Sequence, residues 1–458
     1  MSLAPKWETQ LNNTHYVKHL AKINETNAVS VSENIQNKNG ALVAAAGTRL
    51  CHETARKIAK HKLLKPIDES LGLSYSLTKS SVYKMYEDRL IKKGLLEESK
   101  KNGLFQLASE IMSQLSKYKL IQDKLTVFSS IYPDRFERLL TTGVLAANLA
   151  LELGLTLQQA KDVFLANMIS DVGLLHLSPD IVNNEDKLSH DDLKLFQGHV
   201  VVSAHFASLI PGLPTIVKRA VLEHHERADG FGYPFGKSSD KLCVEGQIIS
   251  IAERLTKFHT KLLAERKFSI QIIFAILRVP TSAHLPQVHN ALLRIMKKGE
   301  LPYKPAFSTN ELRGLVNRCC EKLARLNLWF DMFSDIYKQH HDKLTDSVRF
   351  KPWALLKQVK YNIDETGVLN STQKEWLDNI KESLCEEHCA ELEEFYLLLG
   401  EVEAQCFFVL RKLYEEKDEI TKLFDGIDLP EIYYTGLHSI LYTPQNKDAS
   451  SLAAQSSY

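Results

Sequence analysis

HHERADGFGYP, residues 224–234, is the stretch from which most of the fold and chemistry of this sequence can be inferred. Its two histidines follow Val221 by three and four residues, at the end of an apolar helical pattern that begins near Pro214. Residues at that spacing share one face of a helix, so we expect both imidazoles to point toward neighbouring helices. The glycines and the proline that follow them predict a tight loop.

Amphipathic helices are predicted on both sides of this stretch. RLLTTGVLAANLALELGL (138–155) has apolar residues at helical spacing and is ended by Gly154. Thr156 and Gln159 form a capping-box pattern that opens the next helix. A second capping pattern at Ser189 predicts a helix that continues to Pro211, and GQIISIAERLTKF (246–258) resumes a helix after the loop.

Histidines are concentrated in this part of the chain. Seven of the 17 lie between residues 170 and 259, namely His176, His190, His199, His205, His224, His225 and His259. Imidazoles and a carboxylate that meet inside a helical bundle form a typical site for iron, manganese or zinc. Taken singly, each histidine is equally well explained as a core or surface residue, and only the joint arrangement indicates a metal site.

The string HHERADGFGYP resembles the signature of the HD-GYP domain, a branch of the HD metal-dependent phosphohydrolases that cleave cyclic di-GMP. LANMISDVGLLHLSPDIV (165–182), FQGHVVVSAHF (196–206) and IISIAERLTKF (248–258) resemble its HD segment, its next histidine motif and its closing aspartate helix. The resemblance covers about 134–262 and implies an HD-type helical bundle. The segment 29–66 is more weakly similar to a small module that often precedes such domains.

The resemblance also implies which residues form the site. It assigns the metal-ligand positions to Asp171, His199, His224, His225 and Glu253, with Asp171 also in an impaired catalytic role. Three positions depart from the family pattern: the HD histidine is Ser170, a phosphate-contacting lysine is Leu174, and the first histidine ligand is Arg138. The closing aspartate has become Glu253, and a carboxylate seen in some members corresponds to Asp134.

These departures mainly affect the ligands of one of the family's two metals. Two-metal hydrolysis holds its cations about 3.5–4 Å apart around the phosphate. The family's first cation has lost two of its histidine ligands here, whereas the positions of the second, at Asp171, His199 and the histidine pair, are all kept. We therefore expect one divalent transition metal (Fe, Mn or Zn), or none.

Arg138 suggests how the lost charge is replaced. A guanidinium keeps its charge even beside a cation. Our hypothesis is that Arg138 pairs with Asp171 and Glu253 and so substitutes for the first metal. The alternative is that Arg138 turns to solvent and leaves the pocket open.

The loop that follows the two histidines keeps the whole family pattern. It supplies the candidate ligand-binding residues Arg227, Asp229, Gly230, Gly232, Tyr233 and Pro234. Arg227 and the loop amides can hold phosphate, Tyr233 offers a stacking face for guanine, and Pro234 stiffens the loop. By resemblance, the loop also implies contact with a diguanylate cyclase domain. Alternatively, the loop is retained for packing alone.

Composition limits the other classes of function. The chain has 458 residues, and its 57 Lys and Arg against 56 Asp and Glu give a net charge of +1. We therefore expect no basic surface of the kind that binds duplex nucleic acid. No apolar run approaches the roughly 18 residues of a membrane span, and the first residues lack a signal-peptide core. We expect a soluble, cytoplasmic protein whose seven cysteines are free thiols.

The predicted fold is mainly α, an HD-type helical bundle with a small N-terminal α/β module and a C-terminal helical region. The domain boundaries are 1–70 for that module, 71–130 for a helical linker, 131–265 for the HD-GYP-like domain, 266–443 for the C-terminal helices and 444–458 for a disordered tail. Two short strands are predicted around the turn at residues 37–40.

The C-terminal helices carry a repeated apolar seam: Leu312, Val316, Cys319, Leu323, Leu326, Phe330 and Phe333. The seam suggests a homodimer through these helices, and core packing within the region explains it at least as well.

Three functions remain open. The first is a degenerate member that binds cyclic di-GMP or a partner domain. The second is a weak one-metal cyclic di-GMP phosphodiesterase, in which Glu253 or His176 fills the missing coordination sphere. The third is an HD-type protein-interaction scaffold with no nucleotide function.

Overall fold

The computed structural model describes residues 14–93, 96–185, 188–266, 276–277, 283–298, 303–339 and 351–415. The chain divides into two compact units, Met1–Lys257 with His284–Leu292 and Phe258–Ala283 with Leu293–Tyr458. The predicted segments 1–70, 71–130 and most of 131–265 lie within the first unit, and their boundaries stay predictions. The predicted tail, 444–458, lies outside the described residues.

Helices dominate the first unit, which confirms the prediction of a mainly α, HD-type fold. They are α1 (Thr14–Ile23), α2 (His52–Ala59), α3 (Lys79–Lys93), α4 (Leu96–Lys101), α5 (Leu104–Met112), α6 (Lys119–Ile131), α7 (Pro133–Glu152), α8 (Leu157–Ser170), α9 (Pro179–Asn183), α10 (His190–Gln197), α11 (His199–Ser208), α12 (Thr215–Glu223) and α13 (Val244–Arg266), which continues into the second unit. A short 3₁₀ helix, Val172–His176, joins α8 to α9.

The N-terminal module contains two small antiparallel sheets formed by β1 (Val29–Val31), β2 (Ile35–Gln36), β3 (Leu42–Ala44) and β4 (Leu71–Leu73). The predicted hairpin is confirmed as β2–β3, and its turn is fixed by the Asn37 side chain, which accepts from the amides of Asn39 and Ala41. β1 pairs instead with β4, far along the chain. Before these strands, α1 has a buried apolar face.

Small and polar side chains hold the helices of the first unit together. A Cβ at Gly143 of α7 would lie 2.8 Å from the Phe164 ring of α8, so this helix pair packs closely only around glycine. In the same contact the Asn167 amide donates to the Leu139 carbonyl at 2.8 Å. The predicted capping box at the start of α8 is confirmed. The single helix predicted from Ser189 to Pro211 is wrong, since α10 and α11 meet at Gly198.

The 3₁₀ helix after α8 is pressed onto α11. The amide of Gly173 donates to the hydroxyl of Ser203 at 2.8 Å. A Cβ at Gly173 would lie 2.1 Å from the carbonyl oxygen of His199, so only glycine permits this approach. The contact brings Asp171 and His199, which are far apart in sequence, to the same point of the core.

The second unit is built from the helices Leu312–Gln339, Lys351–Thr366, Ser371–Glu382 and Cys389–Glu415. Ser371–Glu382 is separated from the last helix by a short 3₁₀ helix, Glu386–His388, which is capped by Cys385 and His388. All seven residues of the predicted seam, Leu312, Val316, Cys319, Leu323, Leu326, Phe330 and Phe333, are buried within one chain. Core packing accounts for the pattern, and the homodimer stays a prediction.

Two further sequence expectations can be compared with the structure. All seven cysteines are free thiols, as predicted. Among the residues that the structure describes, no helix combines the length and apolar character needed to cross a bilayer.

Candidate metal centre

Four side chains predicted as metal ligands converge in the core of the first unit. Asp171, His199, His224 and His225 are buried, and one ligand atom from each lies within 4.8 Å of all the others. Asp171 caps the end of α8 and His199 begins α11, while the histidine pair follows directly after α12. Three helix termini therefore deliver the four side chains to one point.

Two of the imidazoles are held in a fixed orientation. The Nδ1 atom of His199 lies 2.6 Å from the Phe196 carbonyl oxygen, and the Nδ1 atom of His224 lies 2.7 Å from that of Val221. A carbonyl oxygen only accepts, so each Nδ1 carries the proton. In the neutral form of each ring the Nε2 atom then carries a lone pair. Both Nε2 atoms are buried without a hydrogen-bond partner in the protein. This is the arrangement of a metal-ligating histidine.

The protonation states suit ligation. Burial lowers the pKa of His199 to about 4, although the carboxylate of Asp171, 3.5 Å from its Nε2 atom, opposes the shift. Burial also lowers the pKa of His225 well below its usual range. Both rings are therefore neutral at neutral pH, which metal binding requires.

The donor set fits a single transition metal. The four donor atoms lie within 4.8 Å of one another, so these side chains would hold one cation between them with small adjustments toward metal–imidazole bonds of about 2.0–2.1 Å. Neutral imidazole nitrogens with one carboxylate oxygen suit iron, manganese or zinc. Orphaned Nε2 atoms in a buried site are what a bound cation would satisfy.

Glu253, the fifth predicted ligand, is engaged elsewhere. Its Oε1 atom accepts from Lys257 Nζ at 2.9 Å, and its Oε2 atom lies 3.9 Å from His225 Nε2. Burial raises the pKa of Glu253, but the ammonium of Lys257 outweighs burial and holds the pKa of Glu253 well below its usual range. Sequence reasoning missed Lys257, although its position four residues after Glu253 on one helix was a usable signal.

The positions of the family's first metal are occupied by other interactions. The expected pairing of Arg138 with Asp171 and Glu253 is not formed: Arg138 Nη2 is buried and has no hydrogen-bond partner. One turn earlier, Arg135 donates to the Glu185 carboxylate and to the Val182 carbonyl, both at 2.6 Å.

The remaining departures from the family pattern are structural in character. Ser170 Oγ donates to the Asn167 carbonyl at 2.8 Å, so its hydroxyl is used inside its own helix. Leu174 is buried in the core, and Asp134 is exposed at the start of α7. His176 faces Lys124, with its Nε2 atom 3.1 Å from the ammonium, and it is not one of the four clustered residues. The alternative in which His176 fills the missing coordination sphere stays a prediction.

The loop after the histidine pair is largely satisfied by its own contacts. Arg227 makes a two-point ion pair with Asp229, Nε to Oδ1 at 3.0 Å and Nη2 to Oδ2 at 2.7 Å, so its fork is directed at Asp229. Tyr233 is buried and stacks on His225, with ring centroids 4.7 Å apart. One face of Tyr233 is thus covered by a clustered histidine.

Close packing explains the glycines of this loop. A Cβ at Gly232 would lie 2.3 Å from the backbone nitrogen of Arg227, and Gly230 has a positive φ of 80°. Glu226, which sequence reasoning missed, accepts from the amides of Phe235 and Lys237 and ties the far side of the loop down. Pro234 is half-buried, whereas the ring of Phe235 is exposed. These contacts favour the packing alternative for the loop, and a role in holding phosphate stays a prediction.

Comparison with known proteins points to one kind of domain. Residues 109–279 match the HD domain family. The chain is similar to the 3'3'-cGAMP-specific phosphodiesterase 1 of Vibrio cholerae, at 32% identity over 109 residues, or 24% of this chain and 25% of that protein. It is also similar to the cyclic di-GMP phosphodiesterase PdeB of Borreliella burgdorferi, at 26% identity over 111 residues, or 24% of this chain and 29% of that protein.

A third relative is the cyclic di-GMP phosphodiesterase response regulator RpfG of Xanthomonas campestris pv. campestris, at 26% identity over 109 residues, or 24% of this chain and 29% of that protein. The chain thus spans between a quarter and a third of the length of these relatives.

Proposed function

The chain carries an HD domain of the HD-GYP family, and from this premise we propose that its site binds a cyclic dinucleotide through one divalent metal, with hydrolysis impaired. Cyclic di-GMP and 3'3'-cGAMP are the candidate ligands, because the relatives are named as phosphodiesterases of these two molecules. The observation that carries the proposal is the Lys257 ammonium on Glu253, at 2.9 Å, beside four otherwise complete metal donors.

The charges around the cluster support one cation rather than two. A histidine ligates a metal in its neutral form, so Asp171 gives the occupied donor set a single negative charge, and one dication leaves it with a net charge of +1 that attracts a phosphodiester. A second dication would lose the carboxylate of Glu253 to Lys257 and would lie beside the fixed charge of Arg138. Unscreened repulsion between cations in a buried site is large, so the second cation is disfavoured.

Each residue of the proposed site has a separate role in binding the metal or the phosphate. A bound divalent metal supplies Lewis acidity toward a phosphoryl oxygen. Asp171, His199, His224 and His225 would hold it, and the backbone carbonyls of Phe196 and Val221 keep two of the rings aimed inward. With Leu174 buried where the family has a phosphate-contacting lysine, one electrostatic contact that speeds hydrolysis is missing, and each such contact is worth about 10²–10³ in rate.

Weak phosphodiesterase activity is the second candidate, because all four donors of one metal position are intact. The exposed Phe235 ring of the loop after the histidine pair also offers an apolar contact for a diguanylate cyclase domain. The cytoplasmic location expected from the sequence stays a prediction.

Metal content and cyclic dinucleotide binding test the proposal together. The purified chain is analysed for bound metals, then titrated calorimetrically with cyclic di-GMP and with 3'3'-cGAMP, and turnover is followed by chromatography with added manganese. We expect one cation per chain and binding without appreciable turnover. Two cations per chain with brisk hydrolysis would refute the proposal, and no binding of either dinucleotide would favour the scaffold function.

Matched histidine variants separate the metal site from the rest of the domain. His224→Ala removes a direct ligand and should abolish stoichiometric metal. His205→Ala removes a half-buried histidine outside the cluster and should leave metal content unchanged. A double variant, R138H with S170H, restores the family's two lost ligands and should gain hydrolysis if the ligand positions are assigned correctly.

A further inference from the structure

We propose that Arg138 is a phosphate-binding residue of this site, and that its guanidinium contacts the phosphodiester from the side where the family has its first metal. The inference rests on the proposed function and names a residue that recognises the ligand.

Helix packing places Arg138 at the edge of the cluster. α7 and α13 are joined by a buried hydrogen bond between the hydroxyls of Thr142 and Thr256, at 2.7 Å. Arg138 lies one turn before Thr142 on α7, and Glu253 lies one turn before Thr256 on α13. Residues one turn apart share a helix face, so Arg138 faces the same helix contact as Glu253 and the neighbouring Lys257.

The neighbouring charged groups are already paired with one another. Arg135 donates to Glu185 at 2.6 Å, and Lys257 donates to Glu253 at 2.9 Å. Arg138 has no such partner, and its Nη2 atom is buried without an acceptor. A buried guanidinium N–H that lacks an acceptor is costly to the protein, so an acceptor brought by a ligand is favoured there.

The charge balance identifies the chemistry of that ligand. Arg135, Arg138 and Lys257 supply three positive charges, and Glu185 and Glu253 supply two negative ones. Asp171 belongs to the metal-ligand set, so this side of the site has one positive charge in excess. A phosphodiester carries one negative charge, and a guanidinium matches its oxygens in geometry as well as in charge.

Ligand titrations of the full chain test the inference with two probes, cyclic di-GMP and inorganic phosphate. Wild type, Arg138→Ala, Arg138→Lys and Arg138→Gln are compared, each loaded with manganese and again after treatment with EDTA. Arg219→Ala is the matched control, because Arg219 is an exposed arginine of α12 that pairs with Glu223. Thermal unfolding of each variant establishes that it is folded.

We expect Arg138→Ala and Arg138→Gln to bind both probes about 10- to 100-fold more weakly than wild type, the effect of losing one charge-assisted hydrogen bond. Arg138→Lys should fall between them and wild type, and Arg219→Ala should match wild type. The loss should persist after EDTA treatment, since the guanidinium acts without the metal.

The outcomes distinguish the inference from the proposed function. Equal affinity of wild type and all Arg138 variants for both probes would overturn the inference, while binding of cyclic di-GMP would leave the function in place. Phosphate binding that depends on Arg138, without any binding of cyclic dinucleotides, would support the inference and overturn the function. Absence of binding to either probe would overturn both.

Discussion

Replacing Lys124 by methionine should lower the free energy of unfolding by about 3–5 kcal/mol, the cost of removing one partner from a buried ion pair. The Lys124 side chain is 0% exposed, and its Nζ atom lies 2.8 Å from Asp68 Oδ1, 3.1 Å from His176 Nε2 and 3.4 Å from the centroid of the Tyr16 ring. Methionine has a similar length and keeps the apolar stem. The loss therefore comes from leaving the Asp68 carboxylate buried without its cation.

Urea denaturation followed by circular dichroism measures this effect, with Lys119→Met as the control. Lys119 is on the same helix, pairs with Asp123 and is 63% exposed. An exposed pair of this kind contributes about 0.2–1 kcal/mol, so the control variant should lose no more than that.

A double variant, K124M with D68L, extends the test. It removes both charges and should recover most of the lost stability, because apolar replacement of a buried pair is often close to neutral. Equal losses in K124M and K119M, or no recovery in the double variant, would refute the argument that the buried charge of Asp68 is responsible.

Three further predictions concern other parts of the chain. Burial raises the pKa of Glu185, but the cations around it lower it to about 2. The ionised Glu185 carboxylate therefore contributes about 3 kcal/mol to the free energy of unfolding above its unfolded pKa near 4.5, and this contribution is lost as the pH falls toward 2. The stability difference between wild type and Glu185→Gln should shrink over that pH range in acid titrations. Gly173→Ala should cost about 1–3 kcal/mol by overpacking and should release bound metal, whereas Gly72→Ala, with open space around it, should retain metal in the same assay. In the second unit, Leu326→Ala (0% exposed) should lower the free energy of unfolding by about 2–5 kcal/mol in urea denaturation, and Leu328→Ala (55% exposed) should lower it by less than about 0.5 kcal/mol. Similar losses in the two variants would contradict the assignment of the seam to the core.

Local signals were sufficient to predict the helices around the site and the turn of the N-terminal hairpin. The capping box at Thr156 and the asparagine-rich turn at Asn37 act over four residues, and both form as expected. The break between α10 and α11 at Gly198 was missed, because the apolar spacing continues across it. The apolar seam near Leu326 could be recognised in the sequence, but the helices that pack against it could not. Apolar periodicity identifies the buried face of a helix and does not identify the element that covers that face.

Long-range pairings account for what the sequence did not predict. Val29 pairs with Leu73 across 44 residues, and nothing in either short strand specifies the other. The same limit applied to the site, where Arg138 was expected to neutralise Glu253 and Lys257 does so instead. The resemblance gave the positions of the ligands, whereas the choice between two competing cations depends on side-chain packing that no motif encodes.

The buried Lys124 also bears on how Asp171 is positioned. The 3₁₀ helix Val172–His176 follows directly after Asp171, and its last residue contacts Lys124 and stacks on Tyr16 of α1. A segment this short, fixed at Gly173 on α11 and at His176 on the N-terminal module, leaves Asp171 little freedom. The first 70 residues therefore contribute to the geometry of the metal-ligand set, although none of them lies in it. Since K124M weakens the contact at His176, it should reduce metal affinity as well as stability, whereas K119M should change neither appreciably.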